Sequence, residues 1–243
     1  MEPTGRALIP SRIGLALSVV LFGVPALLLW LVTHYLVPAL VALGWEPLLA
    51  WFLGGGLLFA LLMAAAITGA TMALPEPSWR AILDVLRVRS ISAEDWHIGG
   101  LTLLATLAAV AAMQFVNSTI GPGLAPHPDF MRVEPLGPAQ RYILALWLPF
   151  FFLNIVGEEL WWRGLIQPRQ EPVFGHRTWI VQGILHGAFH VSFGLGVMFV
   201  VWPILFSIPW AVQRTHNTSV GILIHAGANG PAFLAVTLGL LPS

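Results

Sequence analysis

Residues 142–163 read YILALWLPFFFLNIVGEELWWR. The run from Tyr142 to Val156 is suited to hydrocarbon, and two adjacent carboxylates and a guanidinium follow it, at Glu158, Glu159 and Arg163. Charged side chains at membrane depth are costly, so they usually serve a function. The stretch therefore predicts a transmembrane helix that carries part of a functional site near its end.

Composition places the whole chain in the same class. Of its 243 residues, 57% are hydrophobic and only 9% are charged, whereas a soluble domain is about one quarter charged. The formal net charge is zero and lysine is absent, which argues against a nucleic-acid-binding surface. Cysteine is absent as well, which excludes disulfides, thiolate metal sites and a cysteine nucleophile. We therefore predict an integral membrane protein.

Hydropathy divides the chain into about seven spans. A helix needs roughly 20 apolar residues to cross a bilayer. The segments that approach this length are residues 13–36, 48–73, 96–116, 142–162, 179–193, 195–212 and 220–241. The fifth is the shortest, and the division at residues 192–196 is the least distinct. The pattern predicts an all-α, polytopic transmembrane helix bundle that forms one domain over residues 1–243.

The distribution of arginine orients this bundle. Two of the eleven basic residues, Arg132 and Arg141, fall on one side of the predicted membrane. The other nine fall on the opposite side: Arg6, Arg12, Arg80, Arg87, Arg89, Arg163, Arg169, Arg177 and Arg214. Because cytoplasmic loops are enriched in basic residues, the N-terminus is predicted to be cytoplasmic. The glutamate pair then lies within the bundle, near its cytoplasmic side.

The spacing of the charged residues predicts different partners for the two carboxylates. Glu159 and Arg163 are four residues apart and share a helix face, so an intrahelical ion pair is one interpretation of them. Glu158 lies about 100° further round the helix, so the same arginine cannot pair well with both. One carboxylate is therefore left to face another group, and a general base is a candidate role for it.

Two later spans carry polar residues one helical turn apart. His186 and His190 are compatible with a metal pair, a catalytic histidine with a supporting neighbour, or two buried hydrogen-bonded side chains. His225 and Asn229 are compatible with a catalytic role or with a polar contact that holds helices together. Because glutamate, histidine and the histidine–asparagine pair occur on three separate spans, we predict that they form one site.

These residues resemble the three motifs of a known family. The pattern Glu158-Glu159-x-x-x-Arg163, then His190, then His225-x-x-x-Asn229 is similar to that of the CAAX protease and bacteriocin-processing enzyme family, also called the Abi family. The resemblance covers about residues 147–234, and it implies a catalytic core at about residues 142–241. It implies an intramembrane endopeptidase that forms no covalent intermediate.

The resemblance also implies a role for each residue. Glu158 and His190 would hold and deprotonate a water molecule that attacks the scissile carbonyl. His225 and Asn229 would donate hydrogen bonds to the developing oxyanion. Glu159 and Arg163 would act as supporting residues that position the first motif.

One position departs from the family pattern. The second motif usually has phenylalanine four residues before its histidine, and this chain has His186 there. Zinc in a catalytic site takes three protein ligands and a water molecule, and Glu158, His186 and His190 could supply them. We favour the metal-independent, glutamate-type peptidase, with no cofactor, and keep zinc as the alternative.

The expected substrate is a peptide or protein in or at the lipid bilayer, and the sequence does not select between prenylated and unmodified substrates. The compact, lysine-free chain favours a bacterial plasma membrane. A non-enzymatic role in bacteriocin immunity or scaffolding is the alternative from another class, as is a transporter that uses the same residues as a proton relay. No obvious inverted repeat supports the transporter, and no pattern indicates an oligomeric state.

Overall fold

The computed structural model describes residues 10–119, 123–125, 128–132 and 135–240. Arg6 and the last residue of the seventh predicted span lie outside this part of the chain. Within it the secondary structure is helical throughout, without a strand. The α-helices are α1 (Leu15–Leu31), α2 (Val37–Ala42), α3 (Pro47–Thr71), α4 (Trp79–Val85), α5 (Ala93–Thr119), α6 (Tyr142–Glu159), α7 (Gln167–Phe174), α8 (Thr178–His190), α9 (Leu195–Thr215) and α10 (Thr218–Thr237).

Six helical runs among the described residues are long and apolar enough to cross a membrane. They are Leu15–Ala42, Pro47–Thr71, Ala93–Thr119, Pro138–Phe193, Leu195–Thr215 and Thr218–Thr237. The fourth run has 56 residues and contains both the fourth and the fifth predicted spans, so the count agrees with the prediction of about seven. The all-α transmembrane bundle is confirmed.

The helix of the fourth predicted span continues beyond residue 162, where hydropathy placed its end. After α6 the chain continues as a π-helix, Leu160–Ile166, and then as α7. All seven residues of the π-helix are buried, because the charged groups pair inside the bundle instead of reaching the membrane surface. A π-helical turn within a longer helix is frequent at functional sites.

Helix packing brings the polar segments of α6, α8 and α10 together. Gly157 lets α6 approach α3 closely, since a Cβ at this position would collide with the backbone carbonyl oxygen of Phe59. α8 packs between α1 and α9, and α10 packs against α5, α6 and α9. The glutamate pair therefore faces the histidines of α8 and α10 in the interior.

The two ends of the bundle differ in charge. At one end α3 and α9 finish and α5, α8 and α10 begin. The residues near that end include Arg80, Arg87, Arg89, Arg177 and Arg214. We call it the arginine-bearing end. Which end faces the cytoplasm stays a prediction, which thiol labelling of single cysteines placed in this cysteine-free chain would test.

Candidate active site

Glu158 is held from two sides inside the bundle. Its side chain is buried, its Oε1 accepts a hydrogen bond from Nδ2 of Asn154 at 2.8 Å, and its Oε2 lies 2.9 Å from Nε2 of His186. Asn154 was not singled out in the sequence. The available signal was its place one turn before Glu158 in an apolar run. Both carboxylate oxygens are thus oriented by neighbouring side chains.

The contacts of His186 fix its tautomer. Its Nδ1 lies 3.0 Å from Nη2 of Arg163, and a guanidinium can only donate hydrogen bonds. Nδ1 must therefore accept, and the ring hydrogen of the neutral imidazole is on Nε2, which donates to Glu158. Arg163, His186 and Glu158 form a directed chain of hydrogen bonds.

His190 has the opposite tautomer. Its Nδ1 lies 3.0 Å from the backbone carbonyl oxygen of His186, which can only accept, so Nδ1 carries the hydrogen. The Nε2 lone pair of the neutral ring stays available. His190 is partly buried and lines the same cavity as Glu158, so it can accept a hydrogen bond from a molecule bound there.

Glu159 joins the first motif to the third. Its Oε1 lies 2.9 Å from Nδ1 of His225 and 3.5 Å from Nη1 of Arg163. The predicted pair between Glu159 and Arg163 is present, and both side chains are fully buried. Gly221 makes room for it, because a Cβ there would lie 2.6 Å from Oε2 of Glu159. The carboxylate therefore orients His225.

One cavity of about 320 Å³ collects the predicted catalytic residues. Its polar lining consists of Glu158, His190, His225, Asn229 and the newly found Asn154. Its apolar wall is formed mainly by the rings of Trp51, Phe52, Phe59, Trp147, Phe150, Phe151, Phe193 and Phe233. Glu159, Arg163 and His186 do not line it and lie behind the residues that do.

The cavity extends away from the arginine-bearing end. Leu48 and Val197 line it near the starts of α3 and α9, Trp147 near the start of α6, and Phe233 near the end of α10. His225 lies seven residues after Thr218, the first residue of α10. It is therefore about 10 Å from the start of that helix, which is at the arginine-bearing end. Glu158 and His225 are therefore buried inside the bundle, beneath an aromatic cavity.

The zinc alternative can be tested against the donor set. One nitrogen or oxygen atom from each of Glu158, His186 and His190 lies within 4.8 Å of the others. A histidine that binds zinc normally donates its second N–H to an acceptor, but the second nitrogen of His186 faces the guanidinium of Arg163. His186 does not fit as a neutral ligand, and the remaining two are fewer than the three that catalytic zinc takes.

A comparison with known protein families matches the part of the chain that contains these residues. Residues 140–230 match the family model described as type II CAAX prenyl endopeptidase Rce1-like. This part of the chain is an Rce1-like domain. The resemblance inferred from the three motifs is confirmed, and the Rce1-like domain contains every predicted site residue. No curated protein and no solved structure gives a significant match to the chain. Together with the membrane-spanning helices, the Rce1-like domain supports a CAAX-type intramembrane protease with a membrane-associated substrate.

Proposed function

We propose that this protein hydrolyses a peptide bond of a membrane-associated peptide or protein with a water molecule activated by Glu158 and His190. The observation that carries the proposal is that Glu158, His190, His225 and Asn229 line one cavity. These residues supply a base, a water acceptor and two oxyanion donors, which together suffice for hydrolysis without a covalent intermediate.

Glu158 acts as the general base. Each of its oxygens accepts one hydrogen bond from the protein, and a carboxylate oxygen has a second lone pair for a water molecule. The water also donates to Nε2 of His190, which fixes its direction of attack. As the water oxygen bonds to the carbonyl carbon, its proton passes to Glu158. When the C–N bond breaks, this proton passes to the leaving amine and the carboxylate is restored.

His225 and Asn229 stabilise the oxyanion. Because Nδ1–H of His225 donates to Glu159, Nε2 can donate to the oxyanion only when His225 is an imidazolium, for which the buried Glu159 carboxylate is the counter-ion. Asn229, one turn later on α10, supplies a neutral amide donor from the edge of the cavity. Removal of one oxyanion donor typically costs roughly 3–4 kcal/mol of transition-state stabilisation.

We propose that the reaction is independent of metal, because the Arg163–His186 contact removes one of three candidate zinc ligands. Prolonged dialysis against a chelator is therefore expected to leave the cleavage rate unchanged, and added zinc is expected not to raise it. The measurement is the rate of cleavage by purified protein, with the metal content of the same sample determined by mass spectrometry. A rate that falls with chelation and returns with zinc would overturn metal independence without overturning proteolysis.

The proposed location is a bacterial plasma membrane, so proteolysis is tested in bacterial cells. Membrane-protein fragments are compared between cells that express the wild type and cells that express Glu158→Gln. The glutamine amide oxygen can still accept the hydrogen bond from His186, but it cannot take a proton from water. New peptide termini near a membrane border only in the wild type would establish proteolysis and identify the substrate, including any lipid modification. Identical fragments from two equally folded and expressed proteins would favour the immunity or scaffolding role.

A further inference from the structure

A second cavity lies on the outside of the bundle, away from the catalytic residues. It is a groove of about 510 Å³ between α5, α8 and α9. Leu101, Ala105 and Ala109 form its wall on α5, and Pro203 and Phe206 form the wall on α9. The groove is thus apolar along its length, and it lies between helices that are long and apolar enough to cross the membrane.

The hydroxyl groups of this groove are satisfied within the protein. The hydroxyl oxygens of Thr106 and Ser207 lie 2.8 Å apart in a hydrogen bond between α5 and α9. The Thr102 hydroxyl donates to the backbone carbonyl of Ile98 at 2.7 Å. An apolar chain in the groove would therefore leave none of these hydroxyls without a partner, so it would meet no cost from unpaired polar groups there.

At the arginine-bearing end the groove continues into a polar cleft of about 250 Å³. Trp179 and Trp210 line both cavities, and His176, Gln213 and Arg214 line the cleft but not the groove. Both polar atoms of the Gln213 side chain have a partner within the protein, because the amide nitrogen donates to the Gly175 carbonyl and the amide oxygen accepts from the backbone N–H of Trp179, both at 2.9 Å. Arg214 is exposed and has no hydrogen bond or ion pair within the described part of the chain.

The dimensions match one leaflet of a bilayer. From Pro203 to Arg214 the α9 helix rises about 16 Å, which is roughly half of a 30 Å hydrocarbon core. The two tryptophans lie between the apolar groove and the polar cleft, as aromatic side chains do at the membrane–water interface. Basic pockets between transmembrane helices bind anionic lipid headgroups. We propose that the groove binds an acyl chain of an anionic phospholipid from the leaflet at the arginine-bearing end, with its headgroup at Arg214.

Native mass spectrometry of the full chain in detergent tests this proposal without any substrate. The probes are phosphatidylglycerol and phosphatidylcholine with identical acyl chains. The wild type is expected to retain phosphatidylglycerol preferentially. Arg214→Gln is expected to reduce that preference about fivefold, which corresponds to roughly 1 kcal/mol for one arginine near an anionic headgroup. Ala105→Phe fills the groove and is expected to reduce the binding of both lipids.

Two matched variants serve as controls. Arg177→Gln removes another exposed arginine of the same end that lines neither cavity, and Ala108→Phe places the same ring on an exposed position of α5 outside the groove. Both are expected to bind lipid as the wild type does. The proposal is overturned if Arg177→Gln and Arg214→Gln have equal effects, or if Ala105→Phe binds both lipids as well as Ala108→Phe does.

Discussion

Replacement of Glu158 with glutamine is expected to lower the rate of peptide-bond cleavage by about 100- to 10,000-fold, the usual contribution of a general base. The glutamine amide oxygen can still accept the hydrogen bond from His186, so the side chain keeps its place, but it cannot take a proton from water. The loss should appear in kcat, with little change in KM, because substrate contacts with the aromatic wall are intact. Cleavage by purified protein in proteoliposomes measures both constants.

A suitable control for this variant is Glu76→Gln, which removes an exposed carboxylate between α3 and α4. It changes the net charge equally and is expected to leave the rate unaltered. Thermal unfolding of all three proteins establishes that they are equally folded. A Glu158→Gln protein that retained more than about a tenth of the wild-type rate would remove Glu158 from the role of general base.

Membrane thickness explains why most of the fold could be predicted from the sequence. It fixes the length of a span, so hydropathy alone located the helices and separated α8 from α9. The structure places a 3-10 turn, Val191–Phe193, and Gly194 with a φ of 92° at that division, a backbone conformation that glycine adopts readily. Hydropathy failed at residue 162, because it treats charged residues as the end of a span and cannot detect that they are paired inside.

Residue spacing likewise predicted some features of the site and not others. One-turn spacing indicated which residues of one helix share a face, and it brought His225 and Asn229 to the same cavity. It could not give the rotation of three helices about their axes, which decides that His190 lines the cavity while His186 lies behind Glu158. The tautomers of both histidines follow from that rotation.

The buried amide side chains behind the site were also not predicted from the sequence. Gln182, one turn before His186, donates to Oε1 of Gln170 at 2.6 Å, and Gln170 donates to the hydroxyl of Ser18 at 2.7 Å. This network ties α1, α7 and α8 together behind the site. Polar side chains in an apolar helix at one-turn spacing from predicted site residues were the available signal, and Asn154 has the same signal.

Substitution of Arg163 with leucine is expected to produce the largest loss of stability. Arg163 is fully buried and contacts both Glu159 and His186. Removal of one partner of a buried ion pair leaves an uncompensated charge and typically costs about 3–5 kcal/mol. Thermal unfolding in detergent should detect a much lower midpoint for Arg163→Leu, whereas Arg177→Leu, which replaces an exposed arginine, should unfold near the wild-type temperature.

The double variant Glu159→Gln/Arg163→Leu separates a charge effect from a packing effect. If the cost of Arg163→Leu is the buried carboxylate left behind, neutralising that carboxylate should recover part of the lost stability, with a coupling between the two sites of about 0.5–3 kcal/mol. If the cost is lost packing, the two substitutions should add. Recovered stability should not restore cleavage, because Glu159 is also the proposed counter-ion of His225, and without its charge the imidazolium that stabilises the oxyanion is lost. A double variant that regained both stability and activity would contradict this role for Glu159.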